Sequence, residues 1–84
     1  MEIWFLDFDN EQQGPYTVVA KDKNNYFIHH PEVKHCLLAV PKLFIVSTIE
    51  METDNIPSVQ EYVILDALIN SIDSKYSDFV KIEH

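Results

Sequence analysis

The sequence predicts a small α+β domain: a mainly antiparallel sheet of four to five strands, packed by one long helix in the C-terminal half, with room for a second short helix. Three observations lead there. Short aromatic and β-branched runs alternate with turn residues over the first thirty positions. A continuous apolar run, LFIV, opens the stretch Leu43 to Met51. The segment Ser58 to Asp73, SVQEYVILDALINSID, has helical periodicity and a marked start.

That helix start is a capping box. Ser58 is followed three residues later by Glu61, and Pro57 precedes it. At 100° per residue, Asp66, Asn70 and Asp73 fall on one narrow stripe. Val59, Tyr62, Val63, Ile64, Leu65, Ala67, Leu68, Ile69 and Ile72 spread over the rest of the circumference. One sheet covers only one side of a helix. The surplus apolar side therefore predicts deep burial, a partner, or a second copy of the chain.

The strands follow in order. Glu2 to Phe8 is the first, with Trp4, Leu6 and Phe8 on one face. A polar turn, Asp9 to Gln13, ends at Gly14, the residue suited to a positive φ. Pro15 to Lys21 is the second strand, Lys23-Asn24-Asn25 a turn, and Tyr26 to His29 a third strand, together an antiparallel meander. Pro31 to Val40 reads two ways. Pro31, Glu32 and the spacing Val33, Cys36, Leu37, Val40 favour a short helix. The same residues could instead hairpin back on Tyr26 to His30. Leu43 to Met51 is placed centrally in the sheet, because its apolar start implies burial on both faces. Glu52 to Asn55 is an acidic loop, and Asp78 to Glu83 a closing strand or helical turn.

Composition narrows the function. The 84 residues make one domain, and 46% apolar content suffices for a core. Fourteen acids against six lysines and no arginine leave a net charge of −8. That charge disfavours direct nucleic-acid binding, which needs cations to displace phosphate counterions, and disfavours anionic membranes. A protein partner with a basic surface is attracted instead. Cys36 is the single cysteine, consistent with a reducing, cytoplasmic setting. MEIWFLDF lacks the basic opening of a secretory signal, and no apolar run reaches membrane-spanning length.

Chemistry-bearing motifs are sparse. With one glycine there is no phosphate-cradling loop. His29, His30, His35 and Cys36 are the residues of metal-ligating type, in one cluster rather than the paired clusters of zinc sites. No metal, cofactor or catalytic residue is assigned, and an enzyme is not expected. Leu6-Asp7-Phe8-Asp9 looks like the first motif of the haloacid-dehalogenase phosphatases, whose doubly wound domain needs a far longer chain. Trp4 with Gly14-Pro15-Tyr16 and Asn25-Tyr26-Phe27 is similar in part to GYF domains, which bind proline-rich peptides. Leu6 stands where that family has a tyrosine and Asn25 where it has a glycine.

The carboxylates are what remain. Asp7, Asp9 and Glu11 collect at the first turn. Glu50, Glu52 and Asp54 lie ahead of the helix, and Asp66 and Asp73 on its stripe. Joined on one side, with Tyr62 and Trp4 as aromatic contacts, they would form a negative face that occludes a basic surface. Immunity proteins, antitoxins and phage-encoded inhibitors of nucleic-acid enzymes work in this way, and the likeness is one of class. The alternative is a homodimer formed through the surplus apolar side of the helix.

Overall fold

The computed structural model describes residues 1–7, 9–51 and 55–74. Strands β1 (Glu2–Leu6), β2 (Gln12–Thr17) and β6 (Ile45–Ile49) form a three-stranded antiparallel sheet in the order β2-β1-β6. Strands β3 (Ala20–Lys21), β4 (Asn25–His29), β5 (Cys36–Pro41) and β7 (Ser71–Asp73) form a four-stranded sheet in the order β3-β4-β5-β7. A 3-10 turn, Lys42–Phe44, precedes β6, and one helix, α1, spans Val59–Leu65. The α+β class holds; the single sheet and the long helix do not.

The fold is built on the alternation of β5. All six of its residues are buried. Leu38 and Val40 point to one face and join Ile3, Phe5, Val18 and Ile28 in the core between the two sheets. Leu37 and Ala39 point to the other face and pack with Ala20, Phe27 and Val59 beneath α1. The register with β4 keeps these sets apart, since Phe27 lies opposite Ala39 and Ile28 opposite Leu38. A slip of one residue would exchange the two cores.

This corrects the reading of Pro31–Val40 as a helix. His35 adopts a φ of 59°, the His30 N–H donates to the Cys36 carbonyl, and β5 runs antiparallel to β4. A helix would have buried Val33 with Leu37 and Val40; Val33 is instead about half exposed at 49%. The central, doubly buried strand is thus Cys36–Pro41. The Leu43–Met51 stretch is split by the 3-10 turn, and its extended part, β6, lies at a sheet edge.

The meander is corrected too. The chain changes sheets between β2 and β3. The Val18 N–H donates to the Met1 carbonyl in one sheet, and the Val19 N–H to the Phe27 carbonyl in the other. The first turn is tighter than Asp9–Gly14. The Asp7 N–H donates to the Glu11 carbonyl, and Asn10, at φ 61°, takes the left-handed position. Gly14 lies inside β2, where one extra residue opposes Trp4: Ile3 pairs with Tyr16, but Phe5 with Gln13. Its φ is +139°, and a Cβ there would sit 2.8 Å from the Ile3 carbonyl oxygen and 2.8 Å from Trp4 Cδ1.

The helix begins where the capping box placed it. Ser58 Oγ accepts from the Glu61 N–H at 3.3 Å. It ends two turns later because the stripe residues bind backbone outside a helix. Asp66 takes φ −107° and ψ 91°, and its Oδ1 accepts from the Leu68 N–H at 3.1 Å. The Asn70 N–H then donates to the His35 carbonyl, and Ser71–Asp73 adds to β5 as a parallel strand. The free edge of β5 supplies Ser71–Asp73 with interstrand hydrogen bonds and a partner surface that an extended helix could not use. No helix among the described residues is long and apolar enough to cross a membrane. The expectations for Phe8, for the Glu52–Asp54 loop and for Asp78–Glu83 lie outside the described residues.

Gly14→Ala combines a left-handed φ with a backbone collision, so it should lower stability by about 2 kcal/mol or more. A shift of the urea midpoint at unchanged slope measures it; an unshifted midpoint would show that β2 rearranges at no cost.

Candidate functional site

At the end of β4 and the start of β5 lies a cleft of ≈ 350 Å³, lined by His29, His30, His35 and Cys36 from the hairpin and by Asp66, Leu68 and Ile69 from the turn after α1. This is the one place where the histidines singled out in the sequence come together. Their roles differ.

His30 is a fixed tie. Its Nδ1 accepts the backbone N–H groups of Glu32 and Val33, each at 3.0 Å. Nδ1 therefore carries no proton, and Nε2–H points to Asp73 Oδ2 at 3.2 Å. The ring staples the Pro31–Lys34 loop to β7, and its side chain is only 10% exposed. With both nitrogens engaged, His30 has no lone pair left for a ligand. The Cys36 thiol is buried and lies 3.4 Å from the Leu37 carbonyl oxygen. The described residues include no set of three or more His, Cys, Asp or Glu arranged to hold a metal ion.

The second group bridges helix and hairpin. Tyr62 Oη lies 3.2 Å from His29 Nε2 and 3.5 Å from Asp66 Oδ2, and the His29 and Tyr62 rings meet edge-on at 6.2 Å. The phenol has one proton. Donated to Asp66, it leaves the oxygen to accept from His29 Nε2–H, giving a chain from imidazole to phenol to carboxylate. Partial burial of the ring, then the negative charge of Asp66 and the hydrogen bond to it, raise the Tyr62 pKa above its ordinary value of 10.0.

The remaining residues of the expected acidic face divide into separate places. Asp7 serves the first turn: Oδ1 accepts from the Asp9 and Glu11 N–H groups, and Oδ2 from Gln13 Nε2 at 2.8 Å. Asp9 and Glu11 are exposed on that turn. Glu50 is exposed beyond the opposite end of β1, because Glu2 pairs with Ile49. Six residues of extended chain put it about 20 Å from Asp7. Asp66 and Asp73 belong to the other sheet's margin. Glu52 and Asp54 lie outside the described residues. The aromatic pair is divided as well: Trp4 lies on the outer face of β1 against Gly14, and Tyr62 lies over the hairpin. The residues that resemble a GYF domain share no one surface either. Tyr16 and Tyr26 pack on the inter-sheet core, and Phe27 on the helix side of its sheet.

What the periodicity did not reveal is how much of the 64–72 segment stays outside. Ile64 and Leu65 are each 80% exposed, Leu68 65% and Ile72 43%. Only Val59, Tyr62, Val63 and Ile69 of this region pack on the core.

Because the folded chain holds the Tyr62 proton after the unfolded chain releases it, this contribution to stability is complete below pH 10 and is lost as pH rises through the raised value. Tyr62→Phe should remove from an ultraviolet titration a phenol ionisation centred above pH 10 and flatten the alkaline loss of stability; a lost ionisation centred at pH 10 would show that Tyr62 ionises like a free phenol. The chain matches no family model, no curated protein and no solved structure closely enough to lend it a fold name or an activity.

Proposed function

We propose that this chain is a protein-binding module whose α1–β7 side docks on a partner with a basic surface and occludes it. The observation that carries the reading is the pairing of exposed apolar side chains with carboxylates in one segment. Ile64, Leu65, Leu68 and Ile72 alternate with Asp66 and Asp73, and Glu61 is exposed one turn earlier. An apolar centre with a polar rim is the anatomy of a protein interface. The net charge of −8 selects the partner's sign. An enzyme that handles nucleic acid has such a surface, so inhibition of one is the activity this reading implies.

Magnitudes divide the labour. Asp66, Asp73 and Glu61 lie in or beside the interface and act at contact. Asp9, Glu11 and Glu50 lie on the other sheet, and beyond a Debye length of about 8 Å at physiological salt their pull is mostly screened. They speed encounter at low salt and add little to the bound state.

With the partner purified by capture at low ionic strength, the association rate should fall several-fold as salt is raised. Ile64→Ser and Leu65→Ser should each weaken binding about tenfold or more, chiefly through faster dissociation, since fully burying such a side chain is worth about 1.5–3 kcal/mol. Surface plasmon resonance on the two variants decides it: an association rate indifferent to salt, or wild-type dissociation in both variants, would sink the proposal.

A further inference from the structure

His30 closes the 31–34 loop in a way that one proton would undo. Its Nδ1 accepts the backbone N–H groups of Glu32 and Val33, each at 3.0 Å. A proton on Nδ1 would turn that acceptor into a third donor facing the other two. Loop closure and protonation of the ring are therefore mutually exclusive. On the far side of the ring, Nε2–H points to Asp73 Oδ2 at 3.2 Å. That contact survives protonation and strengthens, because it becomes a charge-assisted pair. The ring thus keeps its tie to β7 in either state and gives up only the loop.

We infer that the 31–34 loop is a proton-released flap: uptake of a proton by His30 Nδ1 frees it, and Val33 and Lys34 leave the wall of the cleft they line. The charged and titratable groups around the ring, among the described residues, pull in both directions. Asp73 of β7 is the nearest and favours the cation. Asp66 from the turn after α1 and Glu32 in the loop act in the same sense. Lys34 and His35, and His29 at the end of β4, oppose it when charged. Cys36 of β5 contributes no charge as pH falls. Magnitudes place the release. Two hydrogen bonds of ordinary strength hold the closed loop by about ten- to a hundredfold. Each pH unit below the titration of a free imidazole, at about 6.5, weakens that hold about tenfold. The loop therefore lets go about one to two units lower, at about pH 5, where carboxylates are still largely ionised. This inference concerns the loop alone and stands apart from the partner proposed for the α1–β7 side.

Amide hydrogen exchange of the full chain, followed by NMR from about pH 7.5 to 4.5 and corrected for the intrinsic pH dependence of exchange, tests it. Protection of the Glu32 and Val33 N–H groups should fall about tenfold per pH unit below about pH 6, while the N–H groups of β5 stay protected. Nitrogen shifts of the rings should show His30 with Nε2–H alone at neutral pH, gaining its second proton as the two amides lose protection. His30→Asn, whose Oδ1 sits where Nδ1 does and takes no proton, should remove the pH dependence of both amides. His29→Gln and His35→Gln should each keep it. Loss of β5 protection together with that of the loop overturns the inference, since acid would then only unfold the chain. So does a neutral ring protonated on Nδ1, or loop protection indifferent to pH. A pH dependence that survives His30→Asn, or disappears in either glutamine variant, overturns it as well.

Discussion

The constraint on which the rest depends is the burial of β5 on both faces. A strand with Leu38 and Val40 on one side and Leu37 and Ala39 on the other cannot sit at a surface. It needs a layer above and a layer below. The β2-β1-β6 sheet is the first layer, contributing Ile3 and Phe5, and α1 is the second, contributing Val59. The layers differ in extent. A whole sheet covers one side, whereas a helix of seven residues covers the other. The helix side of the four-stranded sheet is therefore the thin side of the molecule, and the cleft and the exposed Ile64, Leu65, Leu68 and Ile72 lie at its margin.

The same constraint explains the polar chemistry of that margin. Strand β5 needs hydrogen-bonding partners on both edges: β4 supplies one set and Ser71–Asp73 the other. Bringing β7 there requires the chain to leave its helix at Asp66 and return past the β4–β5 hairpin. Asp66, His30 and Asp73 hold that return path through the turn at Leu68 and the tie to the Pro31–Lys34 loop. Two of the carboxylates that reading by residue type assigns to a partner are therefore already engaged in folding. They can still contribute field at the surface, because each remains partly exposed, but their positions are set by the fold.

On the α1–β7 side the chain has more apolar side chains than the core can hold, so the surplus faces outward among carboxylates. On the β6 side Leu43, Val46 and Ile49 are exposed as well, on and just ahead of the edge strand of the other sheet. A side-chain surplus suits a partner of complementary charge and shape.

Some of this was legible in the residues alone. The mixed class, the helix start at Ser58, the strand at the N-terminus and the turn at Lys23–Asn25 follow from local chemistry: a hydroxyl three residues before its N–H, aromatic and β-branched runs, short polar side chains. So did the excess of apolar residues between positions 64 and 72, read as burial or a partner. Three things were decided only in three dimensions. CLLAV and LFIV are equivalent as apolar runs, and which becomes the central strand depends on whether β4 can pair with it, a long-range choice. SVQEYVILDALINSID has helical spacing throughout, yet its last part gains more hydrogen bonds on the β5 edge than in another helical turn. And Asp7, Asp9, Glu11 and Glu50 are close in kind but lie at opposite ends of one sheet, because antiparallel pairing of β1 with β6 sends the chain termini of those strands apart. Local sequence specifies what each segment is able to form; competition among segments for the same strand edges settles what each of them becomes.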